Sequence, residues 1–150
     1  MVYPRAIAFD PAGNLYVANG YNITVYAPGS DSVLRSVPTP YAPAVALAFD
    51  GAGNLYVAGS FGSIPSHCFP VVVYASGTAS VLQTITQGLC QPMSLALDNA
   101  GNLYIGNEVP GGPASSSSTS NVLVYAPGST SVLRTISEGI DNTLQLEFGP

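Results

Sequence analysis

Short stretches in which apolar and small or polar residues alternate recur along the chain in a fixed order. Residues 6–10, 46–50 and 94–98 read Ala-Ile-Ala-Phe-Asp, Ala-Leu-Ala-Phe-Asp and Ser-Leu-Ala-Leu-Asp. Each leads into Gly-Asn-Leu-Tyr, at 13–16, 53–56 and 101–104. Val-Tyr-Ala-(Pro/Ser)-Gly follows at 25–29, 73–77 and 124–128, and Val-Leu-(Arg/Gln)-(Ser/Thr)-(Val/Ile) at 33–37, 81–85 and 132–136. The cycle opens again at 144–148. Segments this short, rich in Val, Ile, Leu and Tyr and of period two, predict β-strands.

Each cycle therefore predicts four strands, A to D, separated by turn chemistry. Between A and B stands Asp10-Pro11-Ala12-Gly13-Asn14 and its two copies. Pro11 presets φ for a type I turn, Gly13 supplies a position with φ > 0, and Asp10 can accept from the turn amides. Pro28-Gly29 and Pro127-Gly128 mark a second turn between C and D. Taking Phe9, Phe49, Leu97 and Phe148 as equivalent, the repeats are 40, 48 and 51 residues long. Periods of that size with four strands apiece predict an all-β β-propeller segment: three four-stranded antiparallel blades and the first strand of a fourth. The blades span 5–37, 45–85 and 93–136, and the fourth begins at 143–148.

The wording of the repeat resembles the NHL-type family of six-bladed propellers and its bacterial relatives with Tyr-Val-(Ala/Thr)-Asn strands. The matching residues are Ala8-Phe9-Asp10, Gly13-Asn14-Leu15-Tyr16-Val17-Ala18-Asn19 and Val25-Tyr26, with their copies. The resemblance implies a ring of blades. It implies no single activity, because that family holds protein binders, RNA binders, lyases and hydrolases. Three blades are fewer than a ring needs, so further blades or self-association are expected to complete it. In a six-bladed dimer the strand at 143–148 would compete with the partner's residues 5–9 for one inner position.

Spacing within the repeats separates two faces. A to B is seven positions in every blade (Phe9 to Tyr16 and its copies), C to D is eight, and D to the next A is fifteen. B to C alone varies: 10 from Tyr16 to Tyr26, 18 from Tyr56 to Tyr74, and 21 from Tyr104 to Tyr125. In an antiparallel sheet the A–B and C–D turns emerge on one side, and the B–C and D–A connections on the other. All length variation therefore falls on one face, where loops on a rigid scaffold carry binding. The binding candidates are Arg5, Tyr21, Tyr41, Phe61, His67 and Glu108, which fall in or next to these connections. Exposed aromatics offer rigid contact area to a carbohydrate or protein; Arg5 would hold an anion. The six tyrosines at repeat positions read as packing.

Composition narrows the chemistry. Charged residues make up 7% of the chain, with three arginines, no lysine and a net charge of −5, so no basic patch exists to neutralise phosphates, and nucleic-acid binding is not expected. No apolar run approaches the roughly 20 residues of a membrane span, and no signal-peptide pattern follows Met1. One histidine, His67, rules out a histidine-rich metal cluster within the chain. Glu108 and Glu147 are too few for calcium, and no cofactor motif is present. Asp10, Asp50 and Asp98 stand at turns, unpaired for acid–base work. Cys68 and Cys90 fall in connections on the same face and are expected to bond. The expectation is a non-enzymatic recognition or scaffold module, extracellular or periplasmic, with a protein or carbohydrate partner. The alternative is part of a propeller lyase or hydrolase whose catalytic residues lie on other blades.

Overall fold

The structure is a computed structural model that describes residues 3–40, 42–60, 68–109 and 118–140. The expected strand at 143–148, and Tyr41, Phe61 and His67, lie outside the described residues. Twelve strands are present among the described residues, in three four-stranded antiparallel sheets. The first sheet holds β1 (Ala6–Phe9), β2 (Leu15–Ala18), β3 (Asn22–Tyr26) and β4 (Val33–Pro38); the second holds β5 (Ala44–Phe49), β6 (Leu55–Gly59), β7 (Val71–Tyr74) and β8 (Val81–Ile85). The third holds β9 (Gln91–Leu97), β10 (Leu103–Val109), β11 (Thr119–Tyr125) and β12 (Val132–Ile136). In each, neighbours in sequence are neighbours in space.

The A–B turns explain the tight connections. Asp10 Oδ1 accepts the Ala12 and Asn14 amides at 2.9 Å each, and Oδ2 accepts Asn14 Nδ2 at 2.8 Å. Asp50 and Asp98 repeat all three bonds. Gly13 sits at φ 82°, where a side chain would be strained, and its amide bonds the Asp10 carbonyl at 2.9 Å.

The core lies between sheets rather than within one. One cluster joins Tyr16, Ala18, Ile23, Val25 and Val37 of the first sheet to Ala44, Leu55, Val57, Val72 and Tyr74 of the second. Another joins Tyr56, Ala58, Val71, Val73 and Ile85 to Leu95, Leu103, Ile105, Leu123 and Tyr125 of the third. Alternate residues of β6 and β7 serve the two clusters, so the second sheet is covered on both sides and every residue of those strands is buried. A strand covered on both faces keeps its period-two wiring but loses its polar face, which is how a chain with few charges can be all sheet.

Hydroxyl bonds cross both junctions. Tyr74 donates to the Pro38 carbonyl at 2.8 Å and Tyr125 to the Gln87 carbonyl at 2.6 Å. The reading of all six repeat tyrosines as packing needs correction at the two ends of the stack. Tyr16, Tyr56, Tyr74 and Tyr125 are buried, whereas Tyr26 and Tyr104 are half-buried. The first sheet's outward side leaves Ile7 65% and Phe9 63% exposed, while Leu95, equivalent to Ile7, is 7% exposed. The third sheet's outward side is less open, since Val122 and Val124 are buried.

Candidate functional site

The B–C and D–A connections share one end of the sheets, as the strand directions require. Tyr21, in the first B–C turn, accepts the Thr39 amide of the following connection on its carbonyl at 2.8 Å, and Gly20 accepts Ala44 N–H at 2.9 Å. The second sheet's insertion is tied down at the same end. Cys68 and Cys90 form a disulfide across 22 positions of sequence, with Cα atoms 3.8 Å apart. Beside it the Phe69 amide donates to the Cys90 carbonyl at 2.7 Å.

The sequence reading missed the residue that anchors this arrangement. Asn107 is fully buried, accepts the Cys90 amide on Oδ1 at 2.8 Å, and donates from Nδ2 to Asn121 Oδ1 at 3.2 Å. One amide side chain thus joins the D–A connection to the β10–β11 hairpin, and a buried amide so paired costs no unmet hydrogen bond. A signal was available: Asn19 holds the same repeat position, and its Nδ2 bonds Thr24 Oγ1 at 2.8 Å. In the second sheet the position is Gly59, where a Cβ would come within 2.9 Å of Ala42 Cβ. The chain there passes too close to the preceding connection for an asparagine.

Of the candidate binding residues, Arg5 is exposed just ahead of β1, its amide extending the ladder to the Ala18 carbonyl at 3.0 Å. Tyr21 is 54% exposed, and Tyr3, which also precedes β1, is 66% exposed. Glu108 is half-buried on β10, in register with Gln91 and Ser120. Arg5 and Tyr21 thus stand on the first sheet and Glu108 on the third, with the second between them. A groove between the first two sheets at this end, lined by Thr39, Pro40, Ala42, Val57 and Tyr74 among others, has room for about 10 Å³, no more than a water.

The larger concavity is at the opposite end, where sequence spacing gave no cue. The three A–B turns converge there around an open cavity of about 630 Å³ lined by Phe9, Phe49 and Leu97 with Asp10, Asp50 and Asp98. All three carboxylates are spent on their own turns. Asp98 is held below the usual aspartate range by the Asn102 side chain first, then by the Asn102 and Ala100 amides and the Tyr104 hydroxyl. For Asp10, burial is the largest single influence and pushes upward, but the combined bonds from Asn14, Ala12 and Tyr16 outweigh it and hold the group low. Carboxylates kept ionised in this way are poor proton donors near neutral pH. Two arginines also serve packing: Arg35 donates to the Tyr16 hydroxyl and lies 5.3 Å from that ring's centroid, and Arg134 donates to Tyr104 at 3.2 Å. No group of three metal-ligating residues is present among the described residues, and no described helix is long and apolar enough to cross a membrane.

Compared with known proteins, the chain matches no family model and no curated protein. In structure it is similar to a protein of unknown function from Bacteroides caccae, at 18% identity and a TM-score of 0.67. The match covers 92% of this chain and 50% of that one, so the chain spans about half the length of its structural counterpart.

Proposed function

We propose that the three sheets are consecutive blades of an NHL-like propeller and that the chain is a recognition or scaffold module, not an enzyme. Its partner, a protein or a carbohydrate, docks on the end that carries the B–C and D–A connections. The observation that carries this reading is the disulfide-braced end itself. Cys68–Cys90 and Asn107 hold an insertion, a connection and a hairpin together, while Tyr3 and Tyr21 stay exposed beside the first sheet's connections. An end whose residues are cross-linked in this way loses less entropy on binding. A disulfide also favours an oxidising compartment, which supports an extracellular or periplasmic location.

The turn end gives a lyase or hydrolase reading no support, because each of its three carboxylates is bonded within its own turn. The test is a binding screen against glycan arrays and surface-protein libraries with the wild-type chain and Tyr21→Ala. A partner whose binding falls with Tyr21→Ala but not with Asp50→Asn supports the loop end. The reverse pattern would move the site to the turn end.

A further inference from the structure

The two internal junctions show what each sheet asks of the one before it. At the second junction the turn at 86–89 (Thr-Gln-Gly-Leu) is closed by Leu89 N–H on the Thr86 carbonyl at 3.3 Å, with Gly88 at φ 76°. The following sheet docks on that turn twice: the Tyr125 hydroxyl donates to the Gln87 carbonyl, and the Val132 amide donates to Gln87 Oε1 at 2.8 Å. The approach is close, since a Cβ on Gly88 would lie 3.2 Å from both Leu123 and Val132, and Leu89 is 6% exposed.

The same turn is built again after the third sheet. Residues 137–140 read Ser-Glu-Gly-Ile, Ile140 N–H bonds the Ser137 carbonyl at 3.4 Å, and Gly139 sits at φ 72°. Here nothing lies within 4 Å of a Cβ placed on Gly139, and Ile140 is half-buried. At the far end of the stack the matching piece is idle. Tyr26 occupies the repeat position of Tyr74 and Tyr125, but its hydroxyl has no partner among the described residues. Ile7 and Phe9 beside it are exposed, whereas Phe49, the copy of Phe9, packs on Tyr16 of the sheet before it.

We propose that the first sheet of one chain docks on the third sheet of a second copy, and the reverse, through two identical junctions. In each, the Tyr26 hydroxyl donates to the Glu138 carbonyl, the Glu138 carboxylate takes the role of Gln87 Oε1 toward Val33 N–H, and Phe9 packs on Tyr104. Because Val122 and Val124 are already buried, the contact is carried by Tyr104 and the 137–140 turn. The occupant is a second copy because the open side of the first sheet and the 137–140 turn repeat the contacting elements of an existing junction. The contact is head to tail and stays finite only if it closes. Closure by two copies rests on the propeller reading above.

Light scattering on the whole 150-residue chain, across a wide concentration range, tests it. The expected mass is that of two chains. Tyr26→Phe removes one hydrogen bond per junction and raises the dimer dissociation constant about five- to tenfold or more. Ile7→Asp places a charge on the docking side, at a position already exposed in the single chain, and leaves a folded species of one-chain mass. A one-chain mass at every concentration, a mass indifferent to both substitutions, or an open ladder of larger species would overturn the proposal. The readout is mass alone, so its failure leaves the binding proposal standing.

Discussion

The rings of Tyr16 in β2 and Phe49 in β5 meet edge to face, with centroids 4.8 Å apart and planes at 71°, across the junction of the first two sheets. Tyr16 is 2% exposed, so its truncation would empty a packed site shared by two sheets. Tyr16→Ala is expected to cost about 3–5 kcal/mol of folding free energy. Tyr21→Ala, at an exposed loop position, should stay within about 0.5 kcal/mol. Urea denaturation of both variants checks the contrast; equal losses would erase the division between packing and surface tyrosines.

The hydroxyl of Tyr125 is the second lever. Tyr125→Phe leaves the Gln87 carbonyl without its partner and should cost about 1–2 kcal/mol. Tyr26→Phe, measured at concentrations low enough to keep chains apart, should cost close to nothing. Chemical denaturation of the two variants side by side decides it.

Burial also pushes the Tyr125 hydroxyl up to about 12, from an ordinary value of 10.0. A group raised in the folded state contributes stability that is fully present below the unfolded value and lost as pH rises through the folded one. Unfolding should therefore become easier between about pH 10 and 12, and this added slope should vanish in Tyr125→Phe. Alkaline melting curves that match between the two proteins would contradict the assignment.

Acid should act on the turns. Asp10 and Asp98 are held below the ordinary aspartate value of 3.8. For a depressed group the stabilisation is present above the unfolded value and disappears as pH falls through the folded one. Melting temperature should thus hold down to about pH 4 and then fall, and less steeply in the double variant Asp10→Asn, Asp98→Asn. An unchanged slope in that variant would assign acid sensitivity elsewhere.

The Cys68–Cys90 link closes a loop across 22 positions. By the chain-entropy account such a loop is worth about 3 kcal/mol. A reductant should lower the melting temperature of the wild type and leave Cys90→Ser unmoved. A reductant effect of equal size on both would show that the bond is not what was broken.

Much of this was open to inspection in the chain. The Asp-x-Ala-Gly-Asn turns, the four strands per repeat and the shared end of Cys68 and Cys90 follow from local rules, because turn residues and period-two alternation act over a few positions. The large cavity at the turn end was not visible, because Asp10, Asp50 and Asp98 lie 40 and 48 positions apart and meet only through sheet packing. The repeat position shared with Asn19 marked Asn107, but its bond to the Cys90 amide, 17 positions away, is made only by the packed connection.

What the sequence determined by itself is the repeat: strand positions, turns, antiparallel order, and a shortage of charge that lets a sheet bury both faces. Those are matters of backbone preference and patterning, and each can be judged within one cycle. Which faces meet, and which residues are left over when they have met, was decided only by the tertiary structure. Tyr26, Tyr74 and Tyr125 hold one position in the repeat, yet two donate across a junction and one does not. The difference is not in the residues. A hydrogen bond between sheets needs an acceptor on the preceding sheet, and among the described residues no sheet precedes the first.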